Sequence, residues 1–328
     1  MRALITGCTG FVGSHLAEYL LAKTDWEIIG MCRWRSPLDN IQSLIPEINN
    51  GERVRLVYAD LRDGVAVREA VEQADPTHVF HLAAQSYPKT SFSSPLDTLD
   101  TNVQGTVRLL DALRKSDAEI HVCSSSEVYG RAKTIPISED APFHPASPYA
   151  VSKVGADLMA RHYAEAYGMR VQVTRMFTHT GPRRGDVFAE SSFAKQIAMI
   201  EAGLIPPVVK VGNLKSLRTV ADVRDAVRAY YMLLTIDPKP GEVYNIGGSH
   251  TCTVEDILNT LLSMSMSKIG IEVDPNRLRP VDADLQVPDC NKFKNHTGWR
   301  PMIPFEQTMA DLLTYWRDQV KRGAPLQR

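Results

Sequence analysis

Short apolar runs alternate with stretches of helical spacing through the first half of the chain, the pattern of strands covered on both faces by helices. Residues 2–6 (RALIT) read as a buried strand, and the apolar residues of SHLAEYLLAK (14–23) recur at helical spacing. Further runs predict strands at 26–32 (WEIIGMC), 54–60 (VRLVYAD), 77–86 (THVFHLAAQS) and around Ile120 and Val122. Helices are predicted over 63–73 and 101–115. Ser147 before Pro148 suits a helix start, with the serine at the N-cap and the proline in the first turn. Later, EVYNIGG (242–248) reads as a strand, and Thr253 to Asp256 as a helix start resembling a capping box. Gly298-Trp299-Arg300-Pro301 precedes a final amphipathic helix, and both are read as structural.

Composition narrows the class without choosing a chemistry. The chain has 328 residues, 44% of them hydrophobic and 23% charged, which suits a globular protein with a substantial core and two domains or one with a large appendage. A formal net charge of -1 gives no global electrostatic reason to expect nucleic acid or an anionic membrane as partner. No apolar run is long enough to span a bilayer, and Met1 leads almost directly into a strand, so a cytoplasmic protein without a targeting segment is expected. The five cysteines are scattered and lack C-x-x-C spacing, so they read as reduced thiols, and no metal is expected.

The candidate chemistry begins at the end of the first strand. Gly7-Cys8-Thr9-Gly10-Phe11-Val12-Gly13 stands between that strand and a helix, the context of a dinucleotide-binding turn. Its glycines permit a tight turn and close approach to a pyrophosphate resting on the helix N-terminus. Where an acidic residue would select NAD, the second strand ends in Cys32, Arg33, Trp34, Arg35 and Ser36. Two guanidiniums and a hydroxyl suit a ribose 2′-phosphate, so NADP is predicted. Asp60-Leu61 closes the third strand, where the carboxylate could accept from an adenine amino group. Ala83-Ala84 allow close approach to a cofactor, and Gln85-Ser86 fall where a loop would face nicotinamide and sugar. Asn102, inside a predicted helix, is read as tying down a neighbouring loop.

The stretch HVCSSSEVYG (121–130) then delivers three serines and Glu127 to a chain reversal, and Tyr149 and Lys153 stand four apart on one helix face. Lys153 beside Tyr149 is expected to stabilise its phenolate, making that oxygen a base near neutral pH. Ser125 could touch the same substrate oxygen. Glu127 beside these hydroxyls could serve as a second base.

TGCTGFVG, HLAAQS (with Leu82), SSSEVYG and YAVSK, in that order, resemble the extended short-chain dehydrogenase/reductase family, whose members act on nucleotide-linked sugars with a tightly held nicotinamide cofactor. The resemblance covers essentially the whole chain. It implies an α/β fold with a doubly wound parallel (Rossmann) sheet over 1–178, a returning segment near 218–247, and a smaller, mainly C-terminal α/β substrate domain over 179–328. Within the family, RMFTHTGPRRG (175–185) is similar to a segment of the GDP-mannose 4,6-dehydratases, which implies that His179 and Arg184 lie around NADP. KVGNLKSLRTVADVRDAV (210–227) and RLRP (277–280) look like the same enzymes' substrate-binding parts. Lys195, Val211, Arg218 and Arg279 are thereby implied to surround the nucleotide sugar, with Thr178 and Ser86 beside it. Thr178 departs from an asparagine in those dehydratases, and Ser125 from a threonine. A homo-oligomer, dimer or tetramer, is implied as well. A dehydratase would use Glu127 to remove the proton at sugar C5. A 4-epimerase would ignore Glu127, and a GDP-4-keto-6-deoxymannose reductase would consume NADPH stoichiometrically. A cofactor-binding sensor would bind without turnover, against which the intact Ser125, Tyr149 and Lys153 argue.

Overall fold

The computed structural model describes residues 1–278 and 284–323. Its centre is a parallel sheet built from β1 (Arg2–Thr6), β2 (Glu27–Cys32), β3 (Val54–Tyr58), β4 (His78–His81), β5 (Glu119–Cys123) and β6 (Val171–Met176), with Val243–Ile246 as a seventh strand beside β6. Across the sheet the order runs Val243–Ile246, β6, β5, β4, β1, β2, β3, every pair parallel. Strand order therefore reverses between β1 and β4, which opens a crevice at their carboxyl ends where doubly wound sheets take ligands.

The strands are apolar because both faces are covered. Leu16 and Leu20 of helix Phe11–Lys23 pack on one face together with Tyr230 and Leu233 of helix Val223–Thr235. Val67 and Val71 of helix Gly64–Ala74 and Leu109 and Leu110 of helix Gly105–Ala112 pack on the other. Each such large apolar side chain contributes about 1.5–3 kcal/mol when fully buried. A third core joins helices Ala189–Glu201, Val254–Ser263 and Phe305–Lys321. These cover the short strands Leu217–Asp222, His250–Thr253 and Val208–Val211, and the exposed strand Gly270–Val273 pairs with the last of these.

Two predicted elements are shorter than their apolar runs. β4 stops at His81 because the next two amides, of Leu82 and Ala83, both donate to the Thr6 hydroxyl at 3.0 Å instead of continuing a ladder. The helix expected over 101–115 is divided into a π-helical turn, Asp100–Gln104, and the α-helix Gly105–Ala112. π-Turns cluster at functional sites, and this one carries Asn102.

Local signals place other elements as expected. Ser147 caps helix Pro148–Tyr167 by accepting from the Ala150 amide at 3.1 Å. Thr253 and Asp256 form a reciprocal capping box. Trp299 is buried and donates from Nε1 to the Asp225 carbonyl at 3.1 Å. Helix Pro148–Tyr167 is also anchored from within: Asp157 accepts two bonds from Arg175 of β6, at 2.9 and 3.1 Å, in a buried ion pair. Removing one partner of such a pair leaves an uncompensated buried charge.

Candidate active site

The glycine turn lies at the strand-order reversal. Gly7 has φ +72°, and a Cβ there would stand 3.0 Å from the Ala83 Cα. At Gly13 a Cβ would come within 2.3 Å of the Gly7 carbonyl oxygen. The turn is therefore a cradle that side chains would fill. Gly10 precedes helix Phe11–Lys23 and offers no side-chain cap, so Phe11, Val12 and Gly13 present the first amides of that helix to whatever binds there. The residues fit a dinucleotide pyrophosphate. Thr9 is held from outside, its carbonyl accepting from Asn40 at 3.0 Å.

Loop 82–87 forms the facing wall. Asn102 clamps it, accepting from the Gln85 amide at 2.8 Å and donating to the Gln85 carbonyl at 3.0 Å. The same asparagine donates to Ser152 Oγ at 2.8 Å, next to Lys153. The Gln85 side chain is spent on its own loop, bonding Thr98 and Tyr87, while Ala84 is half-buried and Ser86 exposed.

Ser125, Glu127, Tyr149 and Lys153 are brought together at the carboxyl end of β5. Ser125 caps the turn Ser126–Val128, accepting from the Glu127 amide at 3.2 Å, and its hydroxyl also meets the Tyr149 phenol. Glu127 is half-buried, and its charge acts on Tyr149. Lys153, expected to stabilise the Tyr149 phenolate, lies one turn further along helix Pro148–Tyr167. Burial pushes the phenol up, and the groups opposing it are Ser125 and the Arg184 guanidinium. Lys153 Nζ donates to the Cys123 carbonyl at 2.8 Å. Burial lowers the pKa of its ammonium, against which the Asp157 charge acts.

Segment 179–190 closes the site from the other side. The His179 ring stacks on Phe11 at 5.7 Å, and its Nδ1 lies 3.1 Å from the Phe177 carbonyl. Burial lowers its pKa to about 3, so the ring is neutral. The Arg184 guanidinium lies over Phe188 at 3.4 Å and over Phe11 at 5.2 Å, with Glu190 3.3 Å from its Nε. Arg183 is not a free surface charge: it bonds Ser14 and Glu18 of the first helix at 3.2 and 2.7 Å.

At the adenosine end, Arg33 and Arg35 are exposed, and Ser36 donates its amide to the Arg33 carbonyl at 2.9 Å. Asp60, just past the end of β3, has both its carboxylate oxygens gripped by Arg62 at 3.0 and 2.8 Å, which holds its pKa down. Arg62, which the apolar pattern did not single out, also reaches Asp97 at 2.8 Å. Its signal was a basic residue two positions past a strand-end carboxylate. Leu61 is buried beside them.

The implied substrate residues are spread over the loop after β6, helix Ala189–Glu201 and the smaller sheets. Lys195 Nζ pairs with Asp186 at 2.7 Å. Arg218 donates to the Leu217 carbonyl at 3.0 Å, and Arg277, two residues before Arg279, donates to Ser192 Oγ at 3.0 Å. The Thr178 carbonyl accepts from the Ala221 amide at 2.9 Å. The Val211 side chain is fully buried in the third core, inward on its strand, and its carbonyl accepts from the Asp274 amide at 2.9 Å. Arg279 lies outside the described residues.

A family model described as GDP-mannose 4,6 dehydratase matches residues 4–312. GDP-mannose 4,6-dehydratase from Yersinia enterocolitica serotype O:8 is 33% identical over 99% of this chain and 96% of its own. Among solved structures, RMD from Pseudomonas aeruginosa, complexed with NADPH, superposes with a TM-score of 0.81 at 28% identity, covering 97% of this chain and 99% of its own. DesIV, a dTDP-glucose 4,6-dehydratase from Streptomyces venezuelae with NAD and TYD bound, gives 0.84 at 27% identity over 98% of each chain.

Proposed function

This chain belongs to the GDP-mannose 4,6-dehydratase family, and on that footing we propose that it removes water from GDP-mannose to give GDP-4-keto-6-deoxymannose, using NADP. The observation that carries the dehydratase reading is the Glu127 carboxylate standing with the Ser125 and Tyr149 hydroxyls. The basic loop Arg33, Arg35 and Ser36 supports NADP, as does the NADPH complex of RMD.

With the pyrophosphate held at the glycine turn, the nicotinamide of the dinucleotide would supply the group that accepts a hydride from sugar C4 and returns one to C6. Ser125 hydrogen-bonds the C4 oxygen, and Tyr149 takes its proton. Because burial keeps that phenol protonated, positive charge must reach its oxygen for it to act as a base, and Arg184 is a cation already acting on it. Lys153, held on the Cys123 carbonyl, contributes a second charge from the same helix face. Once C4 carries a carbonyl, the C5 proton is acidic; Glu127 removes it and hands it to the departing C6 hydroxyl, so one water leaves, and as C6 is reduced C5 takes a proton back from Glu127, recharged from solvent, into which Tyr149 releases the proton it took from the C4 hydroxyl. Asn102 keeps the loop bearing Gln85 and the helix bearing Lys153 in one register.

The same proposal includes a cofactor region over 1–178 with a return at 218–247, a substrate region over 179–328, a homo-oligomer and a cytoplasmic location. Incubation of purified protein with GDP-mannose and catalytic NADP+, followed by mass spectrometry of the sugar nucleotide, tests the reaction. Loss of one water without added reductant is expected. An unchanged mass, together with consumption of NADPH on the 4-keto sugar, would replace the dehydratase by the reductase.

A further inference from the structure

Of the four tryptophans, three are buried: Trp26, Trp299 and Trp316 are 7%, 0% and 6% exposed, whereas Trp34 is 75% exposed. Trp34 follows β2 directly. Its indole meets Tyr58, the last residue of β3 and 48% exposed, edge-on at 5.1 Å and 78°. The pair therefore stands at the carboxyl ends of β2 and β3, on the ligand-binding edge of the sheet. Its root is fixed to the glycine turn, since the Gly7 amide donates to the Met31 carbonyl at 2.9 Å and the Ala59 amide to the Cys32 carbonyl at 3.0 Å.

The surroundings select the occupant. Trp34 is flanked by the exposed Arg33 and Arg35, neither of which makes an ion pair with a described residue, although Arg33 acts on Asp60 through space. A planar aromatic face between two free guanidiniums suits a flat heterocycle carrying an anion. The Asp60 carboxylate, the obvious partner for a purine edge, is already engaged through both oxygens by Arg62. The base is thus left to be held by its face. We propose that the Trp34 indole is the surface on which the adenine of the dinucleotide stacks, Tyr58 bracing it, while Arg33 and Arg35 hold the phosphate on the adenosine ribose. This rests on the NADP reading above.

The test uses fragments of the cofactor, so that it reads binding without turnover. Because Trp34 alone is exposed, acrylamide quenching of intrinsic fluorescence reports on it. Adenosine 2′,5′-bisphosphate and AMP should each shield it in the wild type. By calorimetry, Trp34→Ala should weaken both probes about tenfold, and Trp34→Phe less than about threefold, since base–aromatic stacking is the interaction lost. Arg33→Ala with Arg35→Ala should weaken the bisphosphate alone. Unchanged affinity of both probes in Trp34→Ala would overturn the proposal. So would shielding that follows protein concentration rather than nucleotide, which would mean a second copy of the chain covers the indole. A wild type that binds neither probe sinks the cofactor reading as well. One that binds both equally sinks NADP selection, and the Trp34→Ala result then decides the stacking by itself.

Discussion

Tyr149, Glu127 and Ser125 share a small volume in which burial favours the neutral form of the Tyr149 phenol. The phenol is raised by burial and by the Glu127 charge, and lowered by Ser125 and Arg184. Glu127→Gln keeps the shape and loses the base, so dehydration should fall by at least about a hundredfold, the low end of a positioned base's contribution. Binding of GDP-mannose by calorimetry should stay within about twofold; wild-type turnover would remove Glu127 from the mechanism. Lys153→Met tests a different point. It deletes the donor to the half-buried Cys123 carbonyl, and leaving such an acceptor unpaired costs up to about 3 kcal/mol. The urea midpoint should drop along with activity, whereas a purely electrostatic lysine would leave the midpoint unchanged.

At the scale of elements, the site depends on two close approaches of backbone. One is the glycine turn against itself and against Ala83, where no side chain fits. Gly13→Ala would push a methyl onto the Gly7 carbonyl oxygen, 2.3 Å from its position. Binding of adenosine dinucleotides should fall by more than about tenfold, read by fluorescence titration, while the far-ultraviolet spectrum stays that of a folded α/β protein. The other is the π-turn Asp100–Gln104, which rotates Asn102 onto both backbone groups of Gln85 and onto Ser152. A regular helix over 101–115 has the right apolar pattern, yet the inserted turn is what lets one side chain reach two elements.

For the whole molecule, the sheet interior carries histidines that must stay neutral. His81 and His121 are buried, on adjacent strands β4 and β5, and burial lowers each to about 3 from an ordinary value of 6.5. A depressed native pKa means that the unfolded chain takes up protons the native state refuses, so stability is full above about 6.5 and is lost as pH falls toward 3. Between pH 7 and 5 each should cost on the order of 2 kcal/mol, seen as a lower urea midpoint at pH 5. His81→Asn should flatten that dependence; an equally steep fall would mean the histidines do not drive it.

Much of this was legible along the chain because it is short-range. Continuous apolar runs and helical apolar spacing, the glycines after β1, the Ser147 cap, the Thr253–Asp256 box and the four-residue separation of Tyr149 and Lys153 depend on residues within a turn or two of one another. Chain geometry alone determines them. What only the tertiary structure decided involves partners tens of residues apart. Arg183 is drawn to Glu18 and Arg175 to Asp157; Val211 is turned inward, and Tyr58 is set beside Trp34. The engagement of Asp60 by Arg62 is near in sequence, but its consequence depends on Asp97 across the crevice. The Tyr149 proton belongs to the same class: Tyr-x-x-x-Lys spacing puts a charge one turn away, and only packing buries the phenol and fixes that lysine on the Cys123 carbonyl. Burial is a property of everything packed around a group, and no local spacing encodes it.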